Sequence, residues 1–99
     1  MKAGVYEGVS LRVLGQAQIA NGQPDLAMAS FEQSLALLAD RDPYEAARTK
    51  MEWGACLRLS GDATQAERGT ALLSEARDAF QRLGARGELA RTEEMLNLE

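Results

Sequence analysis

Apolar residues recur along this chain at helical spacing. Phe31, Leu35 and Leu38 fall at i, i+4 and i+7, and Leu73 and Phe80 repeat that spacing around Arg77. One stripe of a 3.6-residue helix has this pattern. The interruptions are as informative as the stripes. Asn21-Gly22 closes the first run, with Gly22 in the left-handed position after the last turn. Pro24 suits the first turn of the next helix. "DPYE" opens the third, with Asp42 as N-cap, Pro43 at N1 and Glu45 at N3. Gly61 ends it, Asp62 caps the fourth with Gln65 at N3, and Leu83-Gly84 closes the fourth. The pattern predicts five helices, over 5–21, 24–39, 43–60, 63–83 and 86–97. Gly69-Thr70 inside the fourth costs about 1 kcal/mol relative to alanine, which makes this the least secure of the five and the one open to a kink.

The pattern repeats. "VLGQAQIANGQPDLA" (13–27) and "EWGACLRLSGDATQA" (52–66) share a large apolar residue, a glycine, a second glycine and an alanine, all 39 positions apart. The pairs are Leu14 and Trp53, Gly15 and Gly54, Gly22 and Gly61, Ala27 and Ala66. "AARTKMEW" (46–53) returns as "LARTEEML" (89–96), an offset of 43 on Ala47-Arg48-Thr49. About two and a half units follow: 5–39, 43–84 and a half-unit or capping helix over 86–97. The fourth helix carries about three more residues than the second before its apolar face returns to register. A glycine inside a helix is unfavourable unless a neighbouring backbone must come close. Gly15 and Gly54 at one phase, with Ala27 and Ala66 at another, therefore predict closely crossing antiparallel helices. The expected core is Leu14, Ile19, Ala27, Phe31, Leu35, Trp53, Leu57, Ala66, Leu73 and Phe80.

Composition agrees with a single all-α domain over 1–99, an α-solenoid of helix-turn-helix repeats. Alanine and leucine dominate, and the two prolines stand between helical runs. A net charge of −4 argues against generic nucleic-acid or anionic-membrane binding. Apolar runs are too short to span a bilayer. "MKAGVYEG" has no apolar signal core and Cys56 is alone, so a reducing cytoplasm is the expected setting. Catalysis has little to work with. There is no histidine to act as base or metal ligand or to activate Cys56. Glu93 and Glu94 are neighbours on a helix and diverge by about 100°. No metal-ligand cluster or phosphate loop is evident, so neither enzyme nor cofactor is expected.

These residues resemble the tetratricopeptide repeats. Leu11, Leu14, Gly15, Ala27 and Phe31 match one repeat, and Trp53, Gly54, Leu57 and Ala66 the next. The departures are Lys50 at an early bulky position, no closing proline, and units of 39 to 43 residues against about 34. The longer period, with "FQRLGARGELARTEEML", is similar to the C-terminal repeat region of bacterial LuxR-type ATP-binding transcription regulators and related signalling ATPases. The resemblance implies a protein–protein interaction scaffold. It also implies a concave face formed by the first helix of each pair: Val9, Arg12 and Gln16 in unit one, Arg48, Met51, Ala55 and Arg58 in unit two. Arginines around a methionine suit an acidic or amphipathic peptide. Gln16 and Ala55 stand where a clamp for a terminal carboxylate would need asparagines. The alternative is self-association. The final helix offers Leu89, Leu96 and Leu98 without a partner helix, which predicts a homodimer through that stripe.

Overall fold

The computed structural model describes residues 3–97, and every regular element among them is an α-helix. The helices are α1 (Ala3–Ala20), α2 (Pro24–Leu38), α3 (Pro43–Arg58), α4 (Ala63–Leu83) and α5 (Arg86–Asn97). Their ends lie where the local signals put them. The Asp42 carboxylate accepts from the Glu45 N–H at 3.0 Å, and Asp62 from the Gln65 N–H at 3.1 Å. Each cap satisfies an N–H that the helix itself leaves unpaired. Gly84 ends α4 with φ +72°, and the Ala85 N–H reaches back to the Phe80 carbonyl at 3.0 Å. That is the Schellman closure, and it needs the left-handed conformation that glycine adopts freely.

α1 and α2 form one antiparallel hairpin and α3 and α4 a second. α2 packs on α3, and α4 on α5; α1 also touches α3, and α3 touches α5. The result is two layers, α1-α3-α5 over α2-α4. The shortest extent is 19 Å, about two helix diameters.

Two apolar clusters fill the space between the layers. Ala27, Phe31, Trp53, Leu57 and Leu72 join the hairpins, flanked by Met28, Leu35 and Cys56. Ala47, Met51, Leu73, Ala76, Ala79 and Phe80 hold α3 to α4, and Leu89, Met95 and Leu96 of α5 pack on them. A buried polar node ties three helices. The Ser34 hydroxyl donates to the Gly8 carbonyl at 2.7 Å, and Ser34 and Thr49 oxygens lie 2.9 Å apart. A hydroxyl has one proton, and Ser34 has given its own to Gly8. Thr49 is therefore the donor to Ser34.

The repeat is present, but its arithmetic changes between layers. From α1 to α3 the sequence offset of 39 holds: Gly8, Arg12 and Gly15 are buried, as are Ala47, Met51 and Gly54. In the other layer the offset is 42. Buried Ala27, Ser30, Phe31, Ser34 and Leu38 correspond to buried Gly69, Leu72, Leu73, Ala76 and Phe80. Gly69, not Ala66, is thus the counterpart of Ala27, and Ala66 is only half-buried. The extra three residues at the start of α4 cause the shift. Within α4, which runs as one continuous helix from Ala63 to Leu83, Gly69 is buried. It sits where α3 and α4 cross. A Cβ on Gly54 would lie 2.8 Å from the Gly69 carbonyl oxygen, and one on Gly69 would lie 2.6 Å from that of Gly54.

Three further expected core residues are displaced. Leu14 is 46 % exposed and Ile19 38 % exposed, and Leu35 is half-buried. Leu14 corresponds to Trp53, which α2 covers; the described residues place no helix over Leu14.

Candidate protein-interaction sites

The face formed by α1, α3 and α5 is stitched to itself. Arg12 is 4 % exposed, and its guanidinium donates to the Glu45 carboxylate at 2.7 Å and to the Glu45 carbonyl at 3.3 Å. Arg58 donates to the Met95 carbonyl at 2.6 Å. Tyr44 donates its phenol proton to Glu88. These contacts link α1 to α3 and α3 to α5.

The seven residues expected on this face therefore divide. Met51 is fully buried, in the core cluster on which α5 packs, and Arg12 lies at the same repeat phase. Neither is open to a partner, which corrects their assignment to the binding stripe. Met51 is covered because α3 is the middle helix of its layer, with neighbours on three sides, and Arg12 because it reaches from α1 across to Glu45 of α3. Gln16 is exposed, and Val9, Arg48, Ala55 and Arg58 are half-buried. Leu89 and Leu96 are half-buried against the molecule's own core, so the stripe on α5 has a partner within the chain. Leu98 lies outside the described residues.

The Tyr44–Glu88 bond leaves an electrostatic signature. Accepting that bond, with help from backbone hydrogen bonding and the nearby Arg48 and Arg91, lowers the Glu88 carboxyl below its ordinary value. The same bond, with burial and the Glu88 charge, raises the Tyr44 phenol above its usual 10.0. A lowered carboxyl stabilises the fold above its unfolded value and loses that contribution as pH falls through the folded value. A raised phenol stabilises below its unfolded value and loses it as pH rises through the folded one. Tyr44→Phe should therefore destabilise the protein most between about pH 5 and pH 10, with the difference shrinking at both extremes. Urea midpoints across that range measure it. A difference that does not vary with pH would mean that the pair is not linked to folding.

A second feature opens at the far ends of the hairpins. Between the α1–α2 turn and the α3–α4 turn lies a cleft of about 410 Å³. Ile19, Pro24, Met28, Cys56, Leu57 and Leu59 give it apolar walls, and Asp25, Ser60 and Gln65 add polar atoms. Leu59 is 87 % exposed although it is a large aliphatic residue. Burial raises the Cys56 thiol above its ordinary range, which keeps it protonated and weakly nucleophilic. Four helices contribute to this cleft, so no local motif announces it. The one clue in the sequence is "CLRLSG", where Leu59 follows the last helical turn at a position that could as easily be polar.

Among the described residues, no group of three or more cysteines and carboxylates is placed to hold a metal ion. No helix among them is long and apolar enough to cross a membrane. Compared with known proteins, the chain matches no family model, no curated protein and no solved structure.

Proposed function

We propose that this chain is a non-catalytic protein–protein interaction scaffold of tetratricopeptide-like hairpins. In this reading it seats an apolar side chain of an amphipathic partner segment in the cleft between the hairpin ends. The observation that carries the reading is the cleft itself. It is concave and lined mainly by apolar side chains, and exposed Leu59 stands on its rim. Binding energy at protein interfaces concentrates where one large side chain fills such a pocket. Asp25 on the wall disfavours an acidic anchor, so an aromatic or aliphatic one fits best. The α1-α3-α5 face contributes less than its sequence suggested, because Arg12 and Met51 serve the fold. The resemblance to repeat regions of LuxR-type regulators supports a place in bacterial cytoplasmic signalling, where such a scaffold would couple a larger protein to its regulator.

The test is selection of helical peptides from a displayed random library. The selected peptides should share one large apolar anchor. Leu59→Asp should weaken their binding by roughly tenfold or more while leaving helicity unchanged, and a bulky label on Cys56 should block it. Peptides that bind Leu59→Asp and the labelled protein as well as the wild type would remove the cleft from consideration.

A further inference from the structure

We infer that the outward face of α1 is a docking surface for a second copy of this chain, the two α1 helices pairing antiparallel about a two-fold axis at Val13. Opposite its buried side, α1 carries Tyr6, Ser10, Val13, Ala17 and Ala20 in one stripe. Tyr6 is 69 % exposed and Val13 54 %, and the stripe holds no charge. Only Glu7 and Arg12 are charged in the whole helix, and Arg12 is buried against Glu45. α1 spreads its apolar residues around the helix instead of gathering them on its buried side, so the outward stripe offers apolar surface that nothing among the described residues covers.

The repeat shows which side lacks its cover. On α3 the residues turned toward α2 include Thr49 and Trp53; on α5 the matching Thr92 is buried and Leu96 packs on the cluster that holds α3 to α4. Their counterparts on α1 are Ser10 and Leu14, and both are exposed. α1 is thus the helix of its layer that lacks a neighbour there among the described residues.

A second copy suits this face better than a continuing stack. Head-to-tail growth would bring α1 against the outer side of α5, where Arg86, Arg91, Glu93 and Glu94 are exposed and charged. Pairing α1 with itself avoids them. With the two-fold axis at Val13, Tyr6 of each copy meets Ala20 of the other, Val13 meets its own copy, and Ala17 lies opposite Val9. Tyr6, the largest residue of the stripe, then opposes a small one, so the patch is complementary to itself as an isologous contact requires. A chain of net charge −4 repels its own copies except where charge is absent, and this stripe is such a place. The two Glu7 side chains lie at opposite ends of the pair. At 1.5 Å of rise per residue they are roughly 18 Å apart along the axis, beyond the Debye length of about 8 Å.

Sedimentation equilibrium of the full chain from about 1 μM to about 1 mM tests this. The wild type should be a reversible dimer. Val13→Glu and, separately, Ala17→Arg should each weaken it by roughly tenfold or more, with unchanged circular dichroism because both positions are exposed. In a Cys56→Ser background, Val13→Cys should be joined into dimers by a short bismaleimide, and Glu94→Cys should not. The inference is overturned if the wild type stays monomeric throughout the range, or if the dimer survives both α1 substitutions. It is equally overturned if the dimer is lost only on Leu89→Glu with Leu96→Glu.

Discussion

Phe31→Ala should lower stability by about 3–5 kcal/mol, read as a large fall in the urea midpoint with the cooperativity retained. Phe31 is 1 % exposed and lies in the cluster that joins the two hairpins, with Ala27, Trp53, Leu57 and Leu72. Its ring also occupies the space that Gly15 leaves: a Cβ on Gly15 would lie 2.9 Å from it. Truncation removes the ring's contacts with α1, α2 and α3 together, and helices cannot collapse fully into the void. A domain of this size has roughly 5–10 kcal/mol in total, so the loss is a large share of what holds it folded. The Gly15 contact supplies an internal check. Gly15→Ala alone should destabilise, because its methyl strikes the ring. In the Phe31→Ala background the same methyl should be harmless or mildly stabilising. A double-mutant cycle measures that change of sign. Strict additivity of the two substitutions would show that α1 and α2 do not cross at this pair.

Gly69→Ala should destabilise by about 1–3 kcal/mol, even though alanine is the better helix former by about 1 kcal/mol. Ordinary helix propensity and crossing geometry oppose each other here, and the crossing wins. The atom in the way of a Gly69 Cβ is the Gly54 carbonyl oxygen at 2.6 Å, and backbone on a packed helix cannot rotate aside as a side chain would. α3 and α4 would have to separate along the line that buries Leu73 and Met51. Gly54→Ala should behave alike for the reciprocal reason, with Gly69 oxygen at 2.8 Å and Leu73 behind it. Gly87 is the control. Nothing lies within 4 Å of a Cβ there, so Gly87→Ala in α5 should stabilise by several tenths to about 1 kcal/mol. Thermal melts of the three variants decide it. If Gly69→Ala melts above the wild type, the helices do not approach as closely as described.

Both results rest on residues that the sequence singled out for different reasons. Phe31 stood in an apolar stripe, and its burial follows from that stripe. Gly54 was legible as a close-approach position through its match with Gly15. Gly69 was not. The sequence paired Ala66 with Ala27 because local identity runs to that point, and Gly69 read as a weak spot in a long helix. Only the approach of α3 shows that the glycine is required there.

The candidate sites divide in the same way. Nothing within a few residues of Leu59 marks a cleft, because its walls come from four helices. Arg12 looked like a surface arginine, yet Glu45 lies 33 positions away in the chain and 2.7 Å away in space. The stripe on α5 looked unpartnered, and it packs on the core beneath it.

The chain by itself determined its helices, their ends and the existence of a repeat. Those features depend on groups within about four residues: a capping carboxylate, a proline in a first turn, a glycine with positive φ. The tertiary structure alone decided which faces are covered. For α1, whose apolar residues are spread around the helix, periodicity cannot choose a buried face, and the choice falls to Leu38 against Gly8, Phe31 against Gly15 and Glu45 against Arg12. For α4, three additional residues move the buried face from offset 39 to offset 42. Such register is set by side chains meeting across 15 to 40 positions of sequence, where no local rule operates.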